Sequence, residues 1–348
     1  MRTSIIENDI RSEILPEFKE KLKELEGKNI LIAGANGFIL SYIVDTFDTY
    51  NETSNRPINL YLVNRNKITE SSRLSHLINK PNVEFITKDI SKKFDLPGNI
   101  DIIMHGASRS SPSYFLANPL DTIDTNVVGT RTFLDYAKAN SIDQFFLYSS
   151  GDIYGNPDSA NIPTKEDYTG SIDCLDKISC YVEAKRFSET LAGTYHKQFN
   201  LPVKISRILL AYGPGMTNDG KVVTDFFRKS LLEKKIYIKD RGDSRRSFCY
   251  ISDVTKATLR IFFDGKFGEA YHIGNDLENV TIKELAETIT KVVNNGTIVE
   301  TNPNLNKKEQ ANNRMLDISK LRSLGFEPKI SLEQGLYKMK RHYEEIVL

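Results

Sequence analysis

Tyr181 and Lys185 lie four residues apart in a stretch, Cys180 to Tyr195, whose periodicity predicts a helix, so both project from one face. An ammonium beside a phenol stabilises the phenolate and lowers the tyrosine pKa towards neutrality, which yields a base for a sugar hydroxyl. Ser149-Ser150 ends a predicted strand and supplies a hydroxyl donor at the edge where open α/β folds bind ligands. The remaining chemistry-bearing segment is Gly34-Ala-Asn36-Gly37-Phe38-Ile39-Leu40, a glycine turn between a strand and a helix. Its backbone can approach a pyrophosphate and the helix N-terminus points at it, the geometry of a dinucleotide site. Leu40 stands where such a pattern has a third glycine, which predicts a helix slightly further from the sheet.

The elements that must position these groups are legible as short buried runs. Ile30–Ala33, Leu60–Val63, Val83–Thr87, Ile102–His105, Phe145–Ser149 and Val203–Ile208 read as strands alternating with helical stretches. Such alternation requires a parallel sheet covered on both faces. The expected fold is therefore α/β, a Rossmann-type doubly wound parallel sheet with a smaller irregular C-terminal substrate lobe. The expected divisions are a helical extension over 1–28, a dinucleotide-binding domain over 29–209, and a substrate-binding lobe over 210–348 interleaved with it. In the extension, Ile14, Leu15, Phe18, Leu22 and Leu25 recur at three- and four-residue steps, the stripe of a docked amphipathic helix. A capping box, Thr281 with Glu284, opens a helix in the last lobe.

Loops after the strands complete the cofactor reading. Asn64 can hydrogen-bond an adenosine ribose hydroxyl, whereas Arg65 suits the 2′-phosphate of NADP; the reading favours NAD. Asp89-Ile90 and Gly106-Ala107-Ser108 follow the third and fourth strands, where loops pass the adenine and the nicotinamide-side ribose.

The 348 residues are enough for a sizeable core, and 47 basic against 46 acidic residues leave a net charge of +1. That balance argues against a nucleic-acid or acidic-membrane partner. There is no long apolar run, and three unpaired-looking cysteines with five scattered histidines support neither a disulfide framework nor a metal site. The expected compartment is the cytoplasm.

From about Asn29 to the C-terminus the chain resembles the extended short-chain dehydrogenase/reductases, in particular the nucleotide-sugar epimerase/dehydratase group, and within it the UDP-glucuronate decarboxylases. The resemblance rests on Ser110-Ser111-Pro112-Ser113-Tyr114 with Asn118-Pro119, Thr125-Asn126, Ser179-Cys180-Tyr181 to Lys185-Arg186, and Asn218-Asp219-Gly220 to Val223. Arg246 to Tyr250 with Asp253, and Asp317 to Lys320 with Pro328, complete it. It implies that Tyr181 takes the proton from the sugar 4-hydroxyl as the C4 hydride moves to NAD, with Ser150 on the same oxygen. The 4-ketone then opens decarboxylation, C5 chemistry or loss of the C6 hydroxyl. The resemblance also implies Arg246 on the diphosphate, Arg314 at the nucleotide end, Ser110, Tyr114 and Asn126 along the sugar and nicotinamide, and a homodimer through the Asn126–Ala139 and Tyr181-bearing helices.

Departures narrow the reaction. Ser150-Gly151-Asp152 replaces the dehydratases' Thr-Asp-Glu, leaving Asp152 as the carboxylate for a C5 proton; decarboxylases carry Ser and Glu there. Ile178 and Gly215 stand where decarboxylases commonly have arginines, and Leu210 replaces an asparagine. The leading expectation is a decarboxylase-like enzyme. Epimerisation at C4 or C5 is the alternative, followed by 4,6-dehydration, an NADP-dependent keto-sugar reductase, and a catalytically silent binding protein.

Overall fold

The structure, a computed structural model, describes residues 2–92, 94–217, 220–302 and 312–347. Asn218 and Asp219 of the resemblance therefore lie outside the described residues.

Six strands, β1 (Asn29–Ala33), β2 (Asn59–Asn64), β3 (Val83–Thr87), β4 (Ile102–His105), β5 (Gln144–Ser150) and β6 (Val203–Ile208), are joined by a seventh, Glu269–Ile273. All pair in parallel in the spatial order Glu269–Ile273, β6, β5, β4, β1, β2, β3. The order reverses between β1 and β4, so a crevice opens beyond the carboxyl ends of those two strands. Strands buried on both faces read as continuous apolar runs, which is why the sequence pattern located them to within a residue or so. Residues beyond 210 contribute the seventh strand and, as far as they are described, small two- and three-stranded sheets.

Residues 4–25 are helical, with a π-helical turn over Asp9–Ile14. Ile6, Ile10, Ile14, Phe18 and Leu22 are all buried. A strict four-residue spacing drifts by about 40° per step on a 3.6-residue helix. The wider π turn takes up that drift and keeps one stripe on the core.

Leu40 is buried against Gly106, where an added Cβ would sit 2.8 Å from its Cδ1. The small residue expected on the helix is thus supplied from the end of β4 instead. The capping box at Thr281 is formed in both directions. Asp253 accepts from the amides of Lys329 and Ile330, both at 2.9 Å, and so anchors the approach to the C-terminal helix Leu332–Val347.

Candidate active site

The ends of β1, β4, β5 and β6 open into a cleft of about 420 Å³. Its floor is set by β5. Ser150, the last residue of that strand, caps the short helical turn Gly151–Tyr154, accepting from the Asp152 amide at 3.1 Å. The helix Ser179–Phe199 brings Tyr181 and Lys185 to the same wall, both buried. Phe115 stacks on Tyr181 with ring centroids 5.3 Å apart and planes 10° from parallel.

The chain alone does not hold a phenolate, which corrects the expected lowering of the tyrosine. Burial, then the Asp152 charge, raises the Tyr181 pKa, and the Ser150 hydroxyl is the group acting the other way. Lys185 donates its Nζ to the Tyr148 carbonyl at 2.9 Å. Burial lowers its pKa to about 8, against the opposing charge of Glu189. Neutral forms of both groups are thus favoured by the dry wall, and forming the phenolate requires the lysine charge to be kept.

Glu189 was not anticipated, although it continues the Tyr181, Lys185 spacing by a further four residues. It receives a forked pair from Arg207 of β6 at 2.7 and 3.1 Å and the Ser149 hydroxyl at 2.5 Å. The carboxylate one turn along the helix from Lys185 is therefore held from two strands.

At the outer end, Asp152 and Arg314 meet at 2.5 Å, and Arg314 also donates to Asn156 at 3.3 Å. Arg314 and Arg246 are register partners on adjacent short strands. Burial and then the Arg314 charge lower the Arg246 pKa to about 10, and Arg246 donates to the carbonyls of Arg245 and Asn312. Two close guanidiniums with one carboxylate leave net positive charge there, suited to phosphate oxygens.

The glycine turn fits a dinucleotide. The Gly34 amide bonds to Val63 and the Gly37 amide to Gly34, and the helix Phe38–Asn51 starts without a side-chain cap, its first turn lining the cleft. A Cβ at Gly34, where φ is +86°, would lie 2.7 Å from the Ala107 Cα. The Ser108 hydroxyl is buried with no hydrogen-bond partner among the described residues and faces the same cleft. Phe38, Ile39, Gly106 and Ser110 also line it.

Other expected contacts are engaged elsewhere. Asn64 accepts from the Asn36 amide at 2.8 Å, bracing the turn rather than presenting its oxygen. Arg65 is forked onto Asp121 at 2.9 Å twice, with Asp89 at 3.2 Å and the Tyr114 hydroxyl at 3.1 Å, so its charge is already matched. Asn126 is buried and donates to the Thr122 carbonyl of its own helix. Asn64, Arg65, Asp89, Ile90, Tyr114 and Asn126 are not among the cleft-lining residues, and neither are Asn36, Ala107 and Arg246.

One departure carries a backbone cost and the other has a packing reason. Leu210 adopts φ +51°, a left-handed backbone that asparagine tolerates and leucine does not favour. An added Cβ at Gly151 would lie 3.1 Å from Leu209 and 3.2 Å from Leu316, so an apolar wall occupies the space of a longer side chain.

Comparison with known proteins agrees with this geometry. The chain is 35% identical over 317 residues to UDP-glucuronic acid decarboxylase 3 of Arabidopsis thaliana, covering 90% of this chain and 88% of that protein. The fold matches UDP-glucose 4-epimerase from Thermotoga maritima with a TM-score of 0.77 at 22% identity, over 92% of this chain and 100% of the other. It also matches a dTDP-glucose 4,6-dehydratase from Bacillus anthracis, solved with NAD, with a TM-score of 0.74 at 23% identity over 91% and 97%. Residues 30–274 match the family described as NAD dependent epimerase/dehydratase. With the glycine turn, the Tyr181–Lys185 wall and that match over most of its length, the chain is an enzyme of the NAD dependent epimerase/dehydratase family, with NAD as its cofactor.

Proposed function

We propose that the protein acts on a nucleoside-diphosphate uronate, oxidising C4 and releasing C6 as carbon dioxide, the reaction named for its Arabidopsis relative. The observation carrying the proposal is that Ser150, Tyr181, Lys185 and Asp152 line one cleft with Arg314 at its mouth. Asp152 is the only carboxylate among the described lining residues.

Bound NAD supplies the acceptor for the C4 hydride and returns it. Tyr181 takes the hydroxyl proton, Ser150 hydrogen-bonds the same oxygen, and the Lys185 charge offsets the phenolate. With C4 a ketone, the C5–C6 bond breaks and its electron pair passes to the C4 oxygen, where the Tyr181 and Ser150 hydroxyls donate. Asp152 then serves the proton added at C5. Dehydration is disfavoured because Gly151 carries no acid and is packed closely by the apolar side chains of Leu209 and Leu316.

Mass spectrometry and NMR of products from NAD with UDP-glucuronate, and separately UDP-glucose, test the reading. Loss of carbon dioxide from the uronate is expected; unchanged mass with altered stereochemistry would replace it by epimerisation.

A homodimer belongs to the same proposal. Phe133 and Leu134 are spent on the internal core, whereas Leu120 (74% exposed), on the helix Pro119–Asn140 that extends the expected Asn126–Ala139 stretch, and Phe187 (49%), on the Tyr181-bearing helix, remain outside it. A monomer in sedimentation at working concentration would remove the dimer. No helix among the described residues is long and apolar enough to cross a membrane, and all three cysteines are free, which supports a reducing compartment such as the cytoplasm.

A further inference from the structure

The N-terminal segment is wired to the cofactor turn by an unbroken series of hydrogen bonds. Thr3 is buried, and its Oγ1 lies 2.8 Å from Nδ1 of His342 on the C-terminal helix Leu332–Val347. The other nitrogen of that ring, Nε2, accepts from the Gly215 amide at 3.1 Å. An amide can only donate, so Nε2 is unprotonated; the neutral ring carries its proton on Nδ1 and gives it to Thr3. The Gly215 carbonyl accepts from Arg73 Nε at 2.8 Å, and the same guanidinium donates through Nη1 to the Asn36 carbonyl at 2.8 Å. Asn36 sits inside the glycine turn, its amide held by Asn64 and its side chain accepting from the Leu74 amide.

Neighbouring bonds fix both ends. Ser4 is bound through its amide and hydroxyl to Glu345, Arg2 donates to Thr49 at 2.7 Å, and the Tyr343 hydroxyl donates to the carbonyl of Met216, which lines the cleft. Charges facing the His342 ring from the described residues are Glu345 on its own helix and Arg73 from the loop after β2.

We propose that Thr3, His342 and Arg73 are positioning residues, which hold the Gly213–Met216 loop and the glycine turn in mutual register so that NAD meets a preformed cleft. The N-terminal segment is then a working part of the site. The guanidinium beside Gly215 comes from Arg73.

The test compares His342→Leu, which removes the acceptor, with His342→Gln, whose side-chain carbonyl can still accept from Gly215, and with Thr3→Val. NAD affinity is read by calorimetry and amide exchange at 213–216 and 34–37 by mass spectrometry, neither of which depends on the sugar reaction. Losing the Gly215 bond is expected to weaken NAD about fivefold, as for one typical hydrogen bond, with faster exchange at both segments. His342→Gln is expected to stay within about twofold of the parent, and Thr3→Val to speed exchange at 213–216. Unchanged affinity and exchange in His342→Leu would overturn the proposal. So would equal losses in Leu and Gln variants, which would reduce His342 to packing, and an unaltered Thr3→Val would remove the N-terminal segment from the series.

Discussion

Gly34→Ala and Gly325→Ala form a matched pair. Their φ angles are +86° and +87°, so an alanine pays the same left-handed backbone cost at each, roughly 1–2 kcal/mol. Their surroundings differ. Among the described residues nothing lies within 4 Å of a Cβ at Gly325, whereas one at Gly34 meets the Ala107 Cα at 2.7 Å and its amide nitrogen at 2.9 Å. Those are backbone atoms at the end of β4, which cannot swing aside as a side-chain tip does, so overpacking adds about 1–3 kcal/mol. At about 2.1 cal/mol/K per residue, unfolding of 348 residues converts 1 kcal/mol into about 1.4 °C. Calorimetric melting should therefore fall by about 1–3 °C for Gly325→Ala and about 3–7 °C for Gly34→Ala. Only Gly34→Ala should also lose NAD binding, because relief of the contact moves the turn away from the end of β4. Equal melting losses, or full NAD affinity in Gly34→Ala, would refute the claim that close backbone approach shapes this turn.

Tyr181→Phe should retain NAD binding and lose turnover by about 100-fold or more, the usual worth of a positioned acid–base group; normal turnover would exclude the assignment. Lys185, depressed to about 8 by burial, should lose its charge as pH rises through that value, giving an alkaline limb in the rate. Because Glu189 raises the lysine, Glu189→Gln should move that limb to lower pH, and an unmoved limb in the pH–rate profile would sever the link. Burial depresses His105 and His272 to about 3 and His342 to about 4. The unfolded chain therefore binds more protons below about pH 6.5, and stability present above that pH should drain away towards pH 4. Asp9, raised to about 6 by burial, works in the opposite sense, its contribution being lost as pH rises through 6. Glu166, also raised by burial, acts with Asp9, so three histidines against two carboxylates predict a net fall in melting temperature on acidification, and a flat profile from pH 6.5 to 4 would contradict it.

The parallel sheet was legible because strands buried on both faces must be apolar along their length, and the glycine turn because its spacing is local. Tyr181 and Lys185 were legible because a helix repeats nearly every four residues. What local pattern does not encode is which polar groups meet across the fold. Arg65 offers a phosphate-binding cation in the sequence, yet Asp121, more than fifty residues later, consumes it. Asn64 stands at the ribose position and turns its oxygen to the Asn36 amide. Asp152 and Arg314, 162 residues apart and separately assigned to sugar and nucleotide, are one ion pair.

The sequence by itself determined the run of six strands along the chain, the glycine turn between the first of them and its helix, and the shared helix face of Tyr181 and Lys185, since each depends on residues within a few positions of one another. Tertiary structure alone decided the electrostatics. Burial raises Tyr181 and lowers Lys185, the Arg207–Glu189 pair anchors the carboxylate one turn along the helix from Lys185, and Thr3 reaches the cofactor turn through His342 and Arg73. Desolvation and Coulomb terms depend on distances in space, and those are set only when the helices close over the sheet.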